Sequence, residues 1–478
     1  MRKHLLWAAT LLAAVTIAAA PQQFPDTPAA RQFSIWLDTF NSGDQSRILK
    51  YLQANFPERA KNVERTMEFR KRTGGFDFQK SETSTPTRFA GIVKERNSGQ
   101  LAHFVMEVDP ADPDHVGNFM LEPVQPQAES GPPPGRMSEN EAIAALRDRL
   151  AKDGASGDFS GAVLVAKNGN PIFSAAYGMA DREKRIPNRV DTLFRLGSMN
   201  KMFTAVAVLQ LVQAGKIKLT DTLGQYIPDY PNKDVAAKVT IHELLTHTGG
   251  TGDFFGPEFD AHRLELRTLQ DYINLLGKRG PEFAPGSRWE YSNYGFLLLG
   301  VVIERVSGQS YYDYVRDHVY KPAGMDSTGS LAEDQPVPNR SIGYMKDDNG
   351  KLIPNMDTLP YRGTSAGGGY STVGDLLRFA NALESHKLLD AHYTELLTTG
   401  KVDTPGGSKY AYGFGDRTRN GVRSIGHNGG APGMNGDLEI FPESGYVIAV
   451  LANMDPPAAG RIMDFIENRL PAKQAALR

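Results

Sequence analysis

Apolar residues in this chain recur at helical spacing in some stretches and in strand-like runs in others. Near the N-terminus, helical spacing over Ala30–Phe40 and Ser46–Asn55 predicts two amphipathic helices. Strand-like runs follow at Thr87–Val93 and Gln100–Val108. Two helices followed by strands predict a small α+β domain at residues 22–122.

Proline and glycine are dense in residues 123–137, which predicts a semi-rigid linker rather than a packed element. Directly after it, Ser138 and Glu141 have the spacing of a capping box, so a helix is expected to begin there and continue towards Leu150. The main domain is therefore predicted to span residues 138–470.

Strand patterns lie at the two ends of this main domain. Gly161–Ala166 and Ile172–Tyr177 flank Asn168-Gly169, a preferred sequence for a tight hairpin turn, and Asp437–Phe441 with Tyr446–Leu451 predicts a second hairpin. The long region between the two hairpins reads as helix and loop. Strands from both ends are therefore expected to share one antiparallel sheet, with a helical region inserted between them.

The stretch Met202–Val212 is apolar on almost every side, which predicts a buried helix. Ser198 and Lys201 stand at the start of that helix, three residues apart, so their side chains are expected to be neighbours. Burial and the positive end of the helix dipole disfavour the lysine ammonium, and a neutral lysine can accept the proton of a serine nucleophile. The alternative is a serine that caps the helix beside a solvated lysine.

Two later segments carry polar residues that could join this pair. Tyr291–Asn293 precedes the apolar run Gly295–Gly300, and His427–Gly430 lies among turn residues ahead of the second predicted hairpin. Taken singly, Tyr291 could be a core tyrosine and His427 a loop histidine. Together, and in this order, the three segments match the pattern S-x-x-K, then Y-x-N, then K-T-G.

With these motifs the chain resembles the serine β-lactamase and penicillin-binding-protein superfamily, and it is most similar to the class C β-lactamase-related branch. That branch contains esterases, D-amino-acid peptidases and β-lactamases. The likeness covers residues 138–470 and includes five further runs: Phe159–Gly169, Thr192–Ser198, Ile241–Gly250, Ser365–Thr372 and Tyr412–Gly415.

The resemblance implies an α+β fold, in which an antiparallel sheet flanked by helices lies beside an inserted all-helical subdomain, with the active site in the cleft. It implies that Ser198, Lys201 and Tyr291 are the catalytic residues. We expect the oxyanion hole to combine the Ser198 backbone N–H with one near Gly430. The substrate and oxyanion residues are then Asn293, His427, Gly429 and Gly430.

His427 departs from the superfamily pattern, in which a lysine is usual. Lysine is a permanent cation suited to a carboxylate, whereas histidine is largely neutral at pH 7. Ester, amide or small-peptide substrates are therefore favoured, with a β-lactamase or D-Ala-D-Ala carboxypeptidase as the alternative. A non-catalytic scaffold that kept the fold is the third reading, and an intact Ser198, Lys201 and Tyr291 set argues against it.

Two other motifs compete for a catalytic role. Gly363–Gly367 matches the G-x-S-x-G nucleophile elbow, but that motif needs a buried strand before it and a loop stands there. His242 and His247 resemble a zinc motif, but their spacing of five rotates the second ring by about 140° from the first. We therefore predict no metal and no cofactor, and a packing role for the two histidines.

In the N-terminal domain, the helix, Asn41–Asp44 loop and helix resemble the nuclear-transport-factor-2-like cone fold. No catalytic constellation is evident in that domain. A packing, assembly or substrate-shielding role is expected for it.

The whole chain has 478 residues, a net charge of −2 and no cysteine. Its length favours two domains, its charge gives no case for nucleic acid, and the lack of cysteine excludes a thiol nucleophile and disulfides. Met1–His4 and the apolar run Leu5–Ala19 predict a signal peptide at residues 1–20, with an uncleaved anchor as the alternative. Together with the family resemblance, this implies export to a bacterial periplasm or exterior, with no stable membrane span after cleavage. The resemblance also implies small-molecule esters, amides or peptides as substrates.

Overall fold

The computed structural model describes residues 24–60, 63–97, 99, 101–123, 135–347, 350–355, 357–404 and 407–472. The predicted signal peptide and residues 124–134 of the predicted linker lie outside the described residues. The described chain forms two compact units, one reaching to Glu122 without residues 97–101, and one from Pro123 onward. None of the helices in this described part is long and apolar enough to cross a membrane.

The first unit combines four helices with a four-stranded sheet of order β1-β2-β3-β4. Its helices are α1 (Pro28–Ser42), α2 (Gln45–Asn55), α3 (Pro57–Ala60) and α4 (Val63–Thr73), and its strands are β1 (Phe76–Ser84), β2 (Arg88–Glu95), β3 (Leu101–Val108) and β4 (Val116–Pro123). Phe33 of α1 stacks on Phe104 of β3, with 3.8 Å between ring centroids, so helix and sheet share one aromatic core. The α+β class is confirmed, and the cone-fold resemblance stays a prediction.

The second unit is built on an antiparallel sheet of eight strands in the order β13-β14-β15-β16-β17-β18-β5-β6. Small pairs of strands accompany it. The strands of this unit are β5 (Gly161–Lys167), β6 (Asn170–Tyr177), β7 (Met179–Asp181), β8 (Ile186–Pro187), β9 (Phe194–Arg195), β10 (Tyr344–Lys346), β11 (Leu352–Pro354), β12 (Tyr370–Ser371), β13 (Val402–Asp403), β14 (Lys409–Tyr410), β15 (Gly415–Arg419), β16 (Val422–Ala431), β17 (Met434–Phe441) and β18 (Tyr446–Ala452). The prediction that strands from both ends of the domain share one sheet is confirmed.

Most helices of the second unit lie between β9 and β13 in sequence, as the inserted helical region requires. They are α5 (Glu139–Ser156), α6 (Asn200–Gln213), α7 (Leu223–Tyr226), α8 (Lys233–Lys238), α9 (Ile241–Leu245), α10 (Pro257–His262), α11 (Leu269–Leu276), α12 (Asn293–Ser307), α13 (Tyr311–Val315), α14 (Lys321–Ala323), α15 (Val373–Glu384), α16 (Ala391–Thr398) and α17 (Ala458–Glu467). A 3-10 turn, Gly197–Met199, leads into α6.

Apolar packing covers the central sheet on both faces. Along β18, Val447, Ala449 and Leu451 belong to the core shared with α6 and α12, whereas Ile448 and Val450 belong to the core shared with α5 and α17. Alternate residues of a strand point to opposite faces, so a central strand covered on both sides must be apolar throughout. The uninterrupted apolar sequence of β18 is explained by this position.

The first hairpin of the sheet follows the predicted turn chemistry. Asn168 and Gly169 both have positive φ, 49° and 78°, as a two-residue turn with matching twist requires. The capping box at Ser138 is also present, with Glu141 bonded back to the Ser138 backbone, and α5 runs past Leu150 to Ser156.

The sequence-based placement of His427–Gly430 among turn residues is wrong, because these residues lie within β16. Pairing with β17 runs without interruption from Ile425 to Ala431. Glycine generally weakens a strand, but here it is required because the backbone of the 3-10 turn lies very close to β16. A Cβ on Gly429 would lie 2.0 Å from the carbonyl oxygen of Leu196, beside the 3-10 turn.

A buried carboxyl on the central strand β17 makes the stability of the fold depend on pH. Burial raises the pKa of Asp437 to about 7, and one of its oxygens has no hydrogen-bond partner among the described residues. The charged groups that influence the Asp437 pKa are Arg417, Arg419, Asp464 and Glu467. Arg417 also forms an ion pair with Glu439, and Arg419 forms ion pairs with Asp464 and Glu467. A folded-state pKa above the unfolded one means that stability falls as the pH rises from about 4 to about 7 and then levels off.

Asp437→Asn is therefore expected to increase the free energy of unfolding at pH 8 by about 1–4 kcal/mol, and by less at pH 5. The substitution removes the charge that burial disfavours while keeping the shape of the side chain. Urea unfolding at the two pH values measures the effect. Exposed Glu443→Gln is the matched charge change, with little effect at either pH. An equal gain for Asp437→Asn at both pH values would contradict the prediction.

Candidate active site

Ser198 lies in the 3-10 turn at the start of α6 and is half-buried, so its hydroxyl is held in place yet reachable from solvent. The turn depends on Gly197, which has a positive φ of 55°. A Cβ at that position would also lie 3.1 Å from the backbone nitrogen of Gly430, on β16. The nucleophile turn and the glycine-rich strand are therefore in close contact, as the order of motifs predicted.

Lys201 is fully buried, and its amine contacts three oxygen atoms. Nζ lies 3.3 Å from Ser198 Oγ, 2.7 Å from Asn293 Oδ1 and 2.6 Å from the carbonyl oxygen of Ala366. Burial lowers the pKa of Lys201 to about 7, against the opposing effect of the Asp253 carboxylate. A lysine with this pKa is partly neutral at physiological pH and can act as a base towards Ser198.

Tyr291 lies beside the same pair. The Lys201 amine is 4.6 Å from the centre of the Tyr291 ring, over its face. Burial raises the pKa of the Tyr291 phenol above its ordinary value, although a hydrogen bond with the Ser198 hydroxyl opposes this. The phenol is therefore neutral at physiological pH, and its hydroxyl can pass a proton without holding a charge.

Asn293 occupies the first position of α12, after Ser292, whose side chain caps the helix by accepting from the Gly295 backbone N–H at 2.9 Å. The Asn293 amide contacts Lys201 through Oδ1 and donates from Nδ2 to Asp253 Oδ2 at 2.8 Å. The structure therefore places Asn293 between Lys201 and Asp253, and its predicted contact with substrate stays a prediction. Asp253 was not among the predicted site residues, because nothing in its sequence neighbourhood sets it apart from other loop carboxylates.

Three consecutive carbonyl groups of the loop 364–366 are bound by side chains of α6. Asn200 donates to the Thr364 carbonyl at 2.7 Å, Thr204 donates to the Ser365 carbonyl at 2.7 Å, and Lys201 donates to the Ala366 carbonyl. We call this set of three bonds the carbonyl clamp. The carbonyl clamp gives the Gly363–Gly367 motif a structural role. Ser365 itself is fully buried, and the segment before it is a loop rather than a strand. The prediction that this motif is not a nucleophile elbow agrees with the structure.

Backbone groups of β16 face the nucleophile turn just past Gly415, the first residue of β15. Pairing between β15 and β16 stops at Gly426, and the two-residue turn of the next hairpin is closed by Ala431 and Met434. Backbone N–H groups alternate in direction along a strand, so the N–H of Gly430 points away from β17. Gly430 is exposed, and a Cβ on its neighbour Gly429 would be 3.0 Å from the Ser198 nitrogen. The N–H groups of Ser198 and Gly430 can therefore serve one oxyanion.

His427 is buried behind this strand edge, with both ring nitrogens engaged. Nδ1 lies against the Asn428 carbonyl and donates to it, so Nε2 accepts from the Tyr410 hydroxyl at 3.0 Å. Burial and the nearby Lys201 lower the pKa of His427 to about 3, which keeps the ring neutral. A direct contact of His427 with substrate stays a prediction.

His247, for which the sequence predicts a packing role, is a buried neighbour of the site. Its ring lies 4.4 Å from that of Tyr291, and its Nδ1 accepts from the Ser292 backbone N–H at 3.1 Å. Burial and the nearby Lys201 hold its pKa well below 6.5. His242 instead bonds the Tyr412 hydroxyl at 2.8 Å. Over the described ranges, no group of three His, Cys, Asp or Glu side chains could hold a metal ion.

Comparison with known proteins places this site in context. Residues 145–473 match the family model described as Beta-lactamase. A putative penicillin-binding protein of Bacillus subtilis, PbpX, is 31% identical over 61% of this chain and 70% of its own length.

Solved structures of a penicillin-binding protein and an amidohydrolase are also similar to this chain. A penicillin-binding protein from Bacillus halodurans is 35% identical, with a TM-score of 0.62, over 66% of this chain and 99% of its own. A D-stereospecific amidohydrolase from Streptomyces is 29% identical, with a TM-score of 0.58, over 68% of this chain and 97% of its own.

Proposed function

The chain belongs to the β-lactamase family and is a serine hydrolase, and on this basis we propose that Ser198 is its nucleophile and that Lys201 and Tyr291 carry the proton. The observation that carries the proposal is the buried Lys201 amine, 3.3 Å from Ser198 Oγ. A lysine buried without a carboxylate in direct contact is costly to keep charged. Its presence next to a reachable serine is readily explained if the neutral amine is needed.

The reaction proceeds in two steps. Lys201 takes the Ser198 proton as Oγ bonds to the substrate carbonyl carbon, and the resulting oxyanion accepts hydrogen bonds from the N–H groups of Ser198 and Gly430. When the oxyanion collapses, the bond to the leaving group breaks and that group takes the proton from Lys201 by way of the Tyr291 hydroxyl. Water then attacks the Ser198 ester, and its proton passes to Lys201 as a second oxyanion forms. When that oxyanion collapses, the bond between the acyl carbon and Ser198 Oγ breaks, Oγ takes the proton back from Lys201, and the acid leaves.

The rate is expected to follow the ionisation of Lys201. Only the neutral amine accepts the Ser198 proton, so kcat/KM for a neutral ester rises with pH through about 7 and levels off above it. His427 contributes nothing to this limb, because it is already neutral there. Initial rates with p-nitrophenyl acetate from pH 5 to 9, corrected for background hydrolysis, test the expectation. A flat profile over this range would contradict it.

For the substrate we propose esters and small amides or peptides without a carboxylate next to the scissile bond. The position at which superfamily members usually carry a lysine is held by His427, which is neutral and bonded on both nitrogens. A buried neutral ring offers no fixed charge to a β-lactam or peptide carboxylate. The likeness to a D-stereospecific amidohydrolase supports amides as a substrate class.

A β-lactamase or D-Ala-D-Ala carboxypeptidase is the alternative, since relatives carry penicillin-binding names. Parallel assays with p-nitrophenyl acetate, D-amino-acid amides, nitrocefin and D-Ala-D-Ala peptides separate the two. Efficient turnover of the first two with weak nitrocefin hydrolysis supports the proposal. Preference for nitrocefin or D-Ala-D-Ala would replace it by the alternative. We also propose export from the cell, to be tested by N-terminal sequencing of the mature protein.

A further inference from the structure

The loop Thr251–Asp253 is anchored to the start of α12. Thr251 Oγ1 and the Gly252 carbonyl both bond the hydroxyl of Ser292, the residue that caps the helix. Arg279 donates to the Asp253 carbonyl at 3.0 Å. The Asp253 backbone is therefore fixed relative to the first residue of α12, Asn293.

The Asp253 side chain is fixed as well. Oδ1 accepts from the Phe255 backbone N–H at 3.1 Å, and Oδ2 accepts from Asn293 Nδ2 at 2.8 Å. Because a carboxylate only accepts hydrogen bonds, the amide group that faces it must be the NH₂. The Asn293 Oδ1 then faces the Lys201 amine, at 2.7 Å. A reversed amide would direct two donors at an amine that is itself a donor.

We propose that Asp253 is a positioning residue for the proton carrier Lys201: it fixes the Asn293 amide in the one orientation that accepts from Lys201 and holds a negative charge at the rim of the buried site. The proposal rests on the proposed function of Lys201. Without Asp253, the amide is free to turn and burial alone governs the ionisation of Lys201. The carboxylate opposes the effect of burial on the pKa of that lysine, which keeps the amine able to hold the proton it takes from Ser198.

Asp253→Asn separates charge from orientation, because the new amide oxygen can still accept from Asn293. Loss of the charge lowers the pKa of Lys201, so the acid limb of the kcat/KM profile moves to lower pH. A shift of about half a pH unit raises the ratio of kcat/KM at pH 6 to that at pH 8 by about 2.5-fold. The plateau at high pH stays within a few-fold of wild type.

Asp253→Ala removes both contributions, so the limb shifts and the plateau also falls, by about tenfold. In an Asn293→Ala background there is no amide left to orient. There, Asp253→Ala should still shift the limb but should not lower the plateau further, a non-additive result of the kind expected for residues in one chain of contacts. Asp260→Asn, an exposed carboxylate nearby in α10, is the matched control and leaves profile and plateau unchanged.

If Asp253 has only a structural role, the outcome is different: each variant loses activity by the same factor at every pH. An unmoved acid limb in Asp253→Asn, or full additivity in the double variant, overturns the proposal. If wild type itself lacked Ser198-dependent hydrolysis and labelling by a fluorophosphonate, the proposed function would be at fault. If wild type is active and labelled while Asp253→Asn behaves like Asp260→Asn, only the role of Asp253 is wrong.

Discussion

Replacing Ser198 with alanine is expected to abolish turnover, with a loss of at least about 10³-fold in kcat, and to abolish covalent labelling by a fluorophosphonate. The physical reason is that no other serine in the described site has its hydroxyl next to the Lys201 amine, which is the proposed base. The fold should be kept, because the Ser198 side chain is not needed for the backbone bonds of its turn. Active-site labelling followed by mass spectrometry, with circular dichroism as the check on folding, measures both results.

Ser365→Ala is the matched control for this prediction. Ser365 belongs to the competing G-x-S-x-G motif, yet its hydroxyl is fully buried and reaches the Leu297 carbonyl at 3.4 Å. Its backbone carbonyl, which the carbonyl clamp uses, survives the substitution. Activity and labelling should therefore remain near wild type. If Ser365→Ala were inactive and unlabelled while Ser198→Ala kept both, the nucleophile would be Ser365.

Replacing Tyr291 with phenylalanine is expected to lower kcat by about 10² to 10⁴, the usual contribution of a positioned acid–base group. The ring keeps its contacts with His247 and with the Lys201 amine, so packing changes little. What is lost is the hydroxyl next to Ser198, through which the leaving group receives its proton. Steady-state kinetics with an ester and an amide measures the effect, and the amide should suffer more because its leaving group needs the proton.

Tyr230→Phe provides the comparison, because Tyr230 is a buried tyrosine whose hydroxyl contacts only Tyr294, at 3.3 Å, among the bonds described for it. Activity in that variant should stay close to wild type. A Tyr291→Phe enzyme within threefold of wild type would show that Lys201 moves protons without help.

Local chemistry in the sequence was sufficient for several parts of the fold. The turn at Asn168-Gly169 and the cap at Ser138 involve neighbouring residues, so their residue types alone indicate them. The buried helix α6 was also evident, because a helix apolar on every side has no solvent face to present. The order of the motifs placed Ser198, Lys201, Tyr291 and Asn293 in one site, and these side chains lie together in the structure. Their catalytic roles stay predictions.

Features that depend on distant partners were not accessible in this way. The sequence at His427–Gly430 suggests a turn because glycine favours turns. The glycine at position 429 is instead required because the strand passes so close to the Leu196 carbonyl that a Cβ would clash with it. Asp253 lies 40 residues from Asn293 in sequence, and a lone carboxylate on a loop carries no periodic or motif signal. The residue type alone indicates a largely neutral His427 at pH 7, but the burial that lowers its pKa to about 3 depends on tertiary packing, which residue spacing does not reveal.

The order of strands in the large sheet has a consequence for how the enzyme folds during its synthesis. Strand β5 pairs with β18, which joins Gly161–Lys167 to Tyr446–Ala452 across nearly the whole domain. During synthesis, β5 must wait for almost three hundred further residues before its inner neighbour exists, and contacts so remote in sequence make folding slow. Until then its apolar edge is an open template for other chains. Fragments that end before Tyr446 should therefore aggregate rather than fold. The nascent chain is expected to need bound chaperones until β18 has been synthesised.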